Sequence, residues 1–498
     1  MKKNLLKYFF IIIGIVLLLI IYLSIIGVKT EKFNYQIKNK ISQTNRNIEV
    51  ELKEIRLTLN PLNFKVNVKT IAPKVFYKKK SIQLEYIQAQ ISLISLIKNQ
   101  IVSSKLKIST RSIFFKDLIA FARAISNKPE LFILERSVKN GQIIVDINLN
   151  IDETGKIKND YEIKAILKEG KIKLFKNFNF EKINFILNVS KNVFDFKDVK
   201  FITNDSKFFS DNIKVKKNQK DFFIEGDIGN EGTILNDKLL ELLRINFHNI
   251  KFLNTNFYSK NKFSFLIDKK FNIKNLVLES DIQVNESEYK IPNFLNNHFQ
   301  IKDNLIKLKN HKIKSNFRNN KLTINGSGKI KIQENFDNVE YNIDLKDKDF
   351  KLKSQLILSE LKFSSKEYLK NFITNLDKTT ILKDQKIHIN LNKKGLLING
   401  QGKIKFDSDF EDIKFKISKI KNKFNFDTQV DLDQTSFKID FLDFVKNDES
   451  KTQIKVLGNY ESENSLIFEN LSIIDKNNRF ILKNIYLDEN NLIKKVDR

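Results

Sequence analysis

Any metal or acid–base chemistry in this chain would have to come from 4 histidines and a pool of carboxylates, because cysteine is absent. His248, His298, His311 and His388 stand alone, with no second ligand at helical or strand spacing. Asp146, Asn148, Asn150 and Asp152 have the letters of a calcium loop. Ile147, Leu149 and Ile151 between them make a strand with one polar edge, and the glycine that a calcium loop needs after Asn150 is missing. His388 likewise fills one position of an alternating strand, Lys386-Ile387-His388-Ile389-Asn390. No phosphate-binding glycine loop, dinucleotide fingerprint, nucleophile elbow or zinc-protease motif occurs. The residues predict no enzyme, no catalytic group, no metal site and no cofactor.

Charge offers a different chemistry. Lysine and arginine total 88 against 59 acids, a formal net charge of +29. Counterion release from nucleic acid is one use for such an excess. Here, however, the basic residues form no cluster; they are spread through text rich in Lys, Asn, Ile and Phe, so nucleic acid is not expected as a partner. An even coat of lysine instead keeps strand edges from pairing with other chains, and it attracts anionic lipid headgroups.

The elements that carry these residues begin with Tyr8 to Val28, an uncharged run close to the ~20 residues needed to cross a bilayer as a helix. It exceeds a signal-peptide core, and no small-residue cleavage site follows before Lys29 and Lys32, so an uncleaved anchor is expected. Lys2, Lys3 and Lys7 precede it without an acidic residue. The positive-inside rule then keeps the short N-terminus cytoplasmic and sends the long remainder across the membrane.

Beyond the anchor, apolar and polar residues alternate. Ile48, Val50 and Leu52, then Ile55, Leu57 and Leu59, then Leu62, Phe64, Val66 and Val68 place apolar side chains on one face of successive strands. The parity shifts at Lys53-Glu54 and again at Asn60-Pro61, as turns or bulges require. The same pattern recurs at Ile143 to Ile151, Ile183 to Val189, Val339 to Leu345, Ile413 to Ile417 and Phe437 to Phe441. These read as antiparallel strands with one wetted face. Turns are expected at Asp152-Glu153-Thr154-Gly155 and Asn319-Asn320-Lys321. Three segments have helical spacing instead: Phe114 to Ser126, Leu235 to Leu243 and Lys366 to Leu376. The first is expected to pack on strands rather than on a membrane surface. A weak internal repeat, Ile-Asn-Gly-x-Gly-Lys-Ile-Lys, begins at Ile324 and again at Ile398; glycine inside a strand marks a bulge, a bend or a close approach.

A sheet with one apolar face must bury it against a second sheet, a helix layer, itself or a ligand. Helical text is too scarce for a layer, and no Gly, Ser or Pro linkers separate sandwich domains. The preferred reading is mainly β: an N-terminal transmembrane helix, then a long antiparallel sheet of about 30 strands curled into an elongated groove, with a few short helices. The groove lining would include Val50, Leu52, Phe64, Val66, Val145, Ile147, Phe185, Leu187, Tyr341, Ile343, Phe415 and Ile439. Residues 1–28 form the N-terminus and anchor, 29–130 a first β region ending in a short helix, and 131–498 a repetitive groove region.

The anchor, the Asn47 to Leu106 block with Leu59-Asn60-Pro61-Leu62, the run Ile91-Ser92-Leu93-Ile94-Ser95-Leu96 leading to Lys105-Leu106-Lys107-Ile108, and Gly141-Gln142-Ile143 before many strands resemble the AsmA-like family of bacterial envelope proteins, within the bridge-like lipid-transfer proteins. The resemblance is greatest to its large members, which carry a domain of unknown function after the anchor. It implies an inner-membrane anchor, a periplasmic β-groove, and phospholipid moved toward the outer membrane, with other envelope or outer-membrane proteins as partners. Those members are usually longer, so this chain is expected to be either a short relative or one that lacks a C-terminal part. The competing expectation is a membrane-tethered periplasmic scaffold that assists envelope or outer-membrane protein assembly without carrying lipid.

Overall fold

The computed structural model describes residues 2–44, 46–78, 80–94, 103–126, 128–152, 158–174, 178–218, 221–235, 251–268, 270, 272–290, 301, 304–347, 349–364, 379–405, 409–439, 444–446, 450–461, 465–476, 478–487 and 493–497. The protein is mainly β, as the alternation predicts. Of 30 strands among the described residues, 28 belong to antiparallel sheet and two to a separate hairpin. The chain divides into two compact units, 1–229 with 264–274, and 230–263 with 275–498.

The first unit opens with α1 (Lys2–Ile25), whose segment Leu6–Ile25 is long and apolar enough to cross a membrane, a property that anchors and signal sequences share. Its end is built from a glycine and an arginine. Gly27 takes a left-handed φ of 72° and donates its N–H to the Tyr22 carbonyl at 3.1 Å, the usual glycine helix stop. Arg56 reaches back to the last orphan carbonyls, donating Nε to Ile26 O at 2.8 Å and Nη2 to Ile25 O at 3.2 Å. A cation there also suits the negative end of the helix dipole.

The chain then enters the sheet at once. β1 (Val28–Thr30) pairs with β3 (Glu54–Asn60), placing Val28 opposite Leu57. α2 (Asn34–Thr44) and β2 (Ile48–Glu51) lie between them in sequence. The helix α2 has no counterpart in the expected elements. The parity break expected at Lys53-Glu54 is present, since residues 52 and 53 belong to no strand.

The second expected break, at Asn60-Pro61, is also present, but the strand placed directly after it needs correction. Leu62 and Phe64 do not continue an alternating strand: Pro61–Asn63 is a turn of 3-10 helix capped by the Asn60 side chain, and Phe64 is left-handed at φ 50°. Proline at its first position and asparagine before it favour that turn. Leu62 and Phe64 are consequently exposed, at 92% and 69%. Alternation resumes in β4 (Lys65–Ile71), followed by β5 (Lys74–Tyr77), β6 (Lys80–Ser92), β7 (Ser103–Thr110) and β8 (Ile113–Phe114).

Two helices come next, α3 (Phe115–Ile125) and α4 (Pro129–Ser137). The first matches the expected helix; the second has no counterpart among the expected elements. The sheet continues with β9 (Val138–Asn150), β10 (Glu162–Leu174), β11 (Phe178–Ser190), β12 (Val193–Thr203) and β13 (Ser206–Lys217). The calcium-like letters fall in β9 as strand, where Asp146 Oδ1 accepts from Ser109 Oγ at 2.6 Å.

β14 (Phe222–Ile234), β15 (Lys251–Ile267) and β16 (Ile273–Lys290) contain or adjoin the boundaries between the units. The second unit then runs through β17 (Leu305–Arg318), β18 (Lys321–Lys331), β19 (Phe336–Lys346), β20 (Asp349–Ser364), β21 (Thr379–Asn392), β22 (Gly395–Lys405), β23 (Phe410–Ile420) and β24 (Lys423–Leu432). β25 (Phe437–Ile439) and β26 (Phe444–Lys446) make the separate hairpin. β27 (Thr452–Glu461), β28 (Ser465–Asp475), β29 (Asn478–Leu487) and β30 (Ile493–Val496) complete the sheet. Of the turn expected at Asn319-Asn320-Lys321, Asn319 and Asn320 form the two-residue connection, both with positive φ (52° and 57°), the geometry that suits a twisted hairpin, and Lys321 already begins β18. The helical expectations at Leu235 to Leu243, beyond Leu235, and at Lys366 to Leu376 lie outside the described residues, as do His248 and His298.

Candidate functional site: an apolar sheet face with glycine notches

Because partners across a ladder share a face, the register decides which of the expected lining residues lie together. In the first unit Ile147 pairs with Ile108 and Ile163, Ile108 with Ile87, and Ile87 with Thr70. Val66, four residues before Thr70, therefore shares a face with Ile147 and Val145. Val145 faces Ala165, which faces Leu187; Phe185 faces Leu167. Val66, Val145, Ile147, Phe185 and Leu187 thus lie on one face of one sheet.

That face is closed over its middle. Phe115 and Ile119 of α3 pack on Val138, Ile143, Val145, Ala165, Leu167 and Ile183 in one buried cluster, with Leu118 alongside. Phe185 and Leu187 sit at its margin, and Phe185 makes an edge-on contact with Phe196 at 5.3 Å. Val50 is buried opposite Val75 in the pairing of β2 with β5, and Leu52 is buried just beyond it. Phe64 points into solvent from its turn and joins neither group.

In the second unit Tyr341 faces Gly326 and Ser354, and the row continues through Ile389, Ile398, Ile417 and Phe426. Two residues along, Ile343 faces Ile324 and Leu352, which faces Leu391. On the other side Val339 faces Leu356, then Ile387, Gly400 and Phe415. Tyr341, Ile343 and Phe415 therefore share one apolar face, six strands wide from β18 to β23. Glu340, Asn342, Lys414 and Lys416 share the opposite, polar one. The apolar face is half-buried along these rows. No α-helix belongs to this unit among the described residues. Toward one end the face is sealed by the buried cluster Ile404, Ile413, Val430 and Leu432, against which Phe415 packs. The backbone of Ile439 pairs with Phe444 in the small hairpin, apart from the main ladder.

The repeated glycines now have a physical cause. A Cβ on Gly326 would run into the Tyr341 ring, and one on Gly400 into the Phe415 ring. A Cβ on Gly328 would strike the His311 ring, and one on Gly402 the Gln385 side chain. Each glycine pair is thus two notches: one takes an aromatic ring from the following strand, the other a side chain from a bulge in the preceding strand. The bulges lie at Asn310 (φ 54°) and Asp384 (φ 51°), where the register shifts.

The correspondence extends past the glycines at a constant interval of 74 residues, as from 311 to 385. His311 Nε2 donates to Lys329 O at 3.0 Å, and Gln385 Nε2 donates to Lys403 O at 2.8 Å. Asp337 accepts from Ser359 N at 2.8 Å; Glu411 accepts from Asp433 N at 2.8 Å, Gln434 N at 2.9 Å and Thr435 N at 2.7 Å. β17 to β20 and β21 to β24 are two copies of one four-strand module. Sequence reading found only its most visible fragment, the glycine motif.

Environment sets the charge states. Burial lowers the His311 pKa, only partly opposed by the bond to Lys329 O, so the ring is neutral with its proton on Nε2. Nδ1 is left to accept from Tyr341 Oη, 3.5 Å away, and burial raises the Tyr341 phenol. Burial pushes the Glu411 carboxyl up, but the hydrogen bonds from the backbone N–H groups of Asp433, Thr435 and Gln434 outweigh it and leave its pKa lowered. No cluster of three or more potential metal ligands occurs among the described residues. His388, on the polar face, is exposed.

No family model, curated protein or solved structure matches the chain.

Proposed function

We propose that the protein is anchored in the bacterial inner membrane by α1 and uses the apolar face of its sheet in the periplasm to bind phospholipid and conduct it toward the outer membrane, as the resemblance to AsmA-like envelope proteins implies. The observation that carries this reading is the face of β18 to β23. Rows of Ile, Leu and Phe line it from strand to strand, only half-buried, where a sandwich core would be fully covered. An acyl chain laid on such a surface recovers about 25 cal/mol per Å² of apolar area, enough to offset much of the cost of leaving a bilayer. Neighbouring strands are about 4.8 Å apart, so a chain can move from strand to strand along such a row without crossing a polar barrier.

The junction at Gly27 and Arg56 supports the same reading. Only two residues separate α1 from β1, so the first strands of the sheet begin where the proposed anchor leaves the membrane. Direction cannot come from a passive surface and would be supplied by other envelope proteins.

Photocrosslinking tests the proposal. A photoreactive residue at Ile343 or Phe415 in membranes of living cells captures lipid acyl chains, and one at Asn342 or Lys414 does not. Equal capture from both faces, or none from either, would leave the tethered scaffold as the better account.

A further inference from the structure

The polar side of the same strands is not a flat wetted surface. Over β17 to β22 it forms a cavity of about 810 Å³, within the usual range for ligand sites. Lys312, Lys314 and Lys353 project into it, with side-chain amides and hydroxyls filling the intervening ladder positions and Glu340 as the one carboxylate on its wall. The ladder explains this grouping. Lys314, Asn325, Asn342, Lys353 and Asn390 occupy one cross-strand row, and Lys312, Ser327, Glu340, Gln355 and His388 the next.

We propose that this cavity is a binding site for a phosphate-bearing anion. Three cations converge on one concavity, and none of them makes an ion pair among the described residues. Some other lysines of these strands are neutralised: Lys321 pairs with Asp344 at 3.4 Å, and Lys307 with Glu288 at 2.6 Å. Lysines held apart across strands by the ladder surround an anion with donors without having to be gathered first, and the amides add neutral donors of the kind that phosphate oxygens accept. Asn342 is already oriented, donating Nδ2 to Asn325 Oδ1 at 2.6 Å. The three lysines occupy the face of the ladder opposite Ile343, so the site stands whether or not that apolar face carries lipid.

The phosphate could be that of a soluble compound or of a lipid headgroup, and the test separates them. Full-length protein in detergent is titrated with inorganic tripolyphosphate. In parallel, protein in nanodiscs is mixed with vesicles of phosphatidylcholine alone or with phosphatidylglycerol added. The triple variant Lys312→Gln, Lys314→Gln and Lys353→Gln is compared with Lys164→Gln, Lys168→Gln and Lys200→Gln, three exposed lysines of the first unit that remove equal charge. The cavity variant is expected to bind tripolyphosphate at least ~10-fold more weakly and with a flatter salt dependence, while the control variant binds like wild type. Preferential loss of phosphatidylglycerol-vesicle binding in the same variant identifies the headgroup as the source; unchanged vesicle binding identifies a soluble phosphate. Equal weakening in both variants would mean that only the net charge attracts anions, and would overturn the site. Lipid capture from Ile343 is measured on the same cavity variant, so that failure of this site and failure of the lipid-conducting reading are separate results.

Discussion

Val145 and Leu167 in the first unit and Tyr341 and Ile343 in the second occupy the same kind of position, the apolar side of an antiparallel ladder. Their surroundings differ. Leu167 lies 1% exposed and Val145 6% beneath α3, whereas Tyr341 and Ile343 are half-buried. The first unit closes its sheet with an amphipathic helix, as a globular domain does; the second leaves a comparable face without one among its described residues. The same alternation thus supports a buried protein core in one place and a half-buried apolar face in the other.

The largest effect follows directly. Leu167→Asp places an unpaired charge under α3 and is expected to cost about 4 kcal/mol or more, unfolding the first unit. Ile343→Asp puts its charge on a face with access to water and is expected to cost about 1–2 kcal/mol while obstructing lipid capture. Urea unfolding followed by limited proteolysis, with fragments assigned by mass spectrometry, reads each unit separately. Equal destabilisation by the two substitutions would show that the second face is a covered core as well.

The comparison also shows what the sequence could reveal. Strand alternation at Ile143 to Ile151 or Val339 to Leu345 is legible because a one-residue slip would exchange every side chain between faces. Helix α3 is legible from its apolar spacing. The polar α2 and the nine-residue α4 are not, because neither has a strong apolar stripe. Phe64 reads as strand because its left-handed turn contains no glycine to announce it. The polar cavity was out of reach for another reason: it exists only after the register has brought separate strands together. The 74-residue duplication is most visible in the sequence at the glycine motif, because many of its other matched positions differ in residue type, as His311 and Gln385 do.

A smaller effect tests how the open unit is held at its sealed end. Glu411 binds the backbone of Asp433, Gln434 and Thr435, fastening the chain where it leaves β24. Glu411→Gln keeps the shape but supplies a weaker acceptor and a surplus donor, and is expected to cost about 1–3 kcal/mol at neutral pH. The wild-type carboxyl has a lowered pKa when folded, so its contribution is complete above the unfolded carboxylate range and fades as pH falls through the folded value. Proteolysis after β24 should therefore distinguish variant from wild type at pH 7 and much less at pH 3. A constant difference across that range would remove the carboxylate's charge from the account.

The smallest effect concerns the two copies inside the open unit. If β17 to β20 and β21 to β24 are one module repeated, the side chains in their second notches should be interchangeable. His311 and Gln385 both lie buried over a glycine, and each donates one N–H to a carbonyl of the next strand, Lys329 and Lys403. His311→Gln is therefore expected to change stability by less than about 0.5 kcal/mol, whereas His311→Leu leaves the Lys329 carbonyl without its donor and should cost about 1–2 kcal/mol. The acid side sharpens the contrast. Burial holds the folded imidazole pKa below its ordinary value of about 6.5, so the unfolded chain takes up a proton before the folded one does, and the wild type loses stability as pH falls below that value. Glutamine has no such proton to bind, so the His311→Gln variant should become the more stable form in mild acid. Urea titrations of the three proteins at pH 7.5 and pH 5 measure both effects. A glutamine variant as weak as the leucine one would mean that the shared notch is a likeness of shape without a shared hydrogen bond.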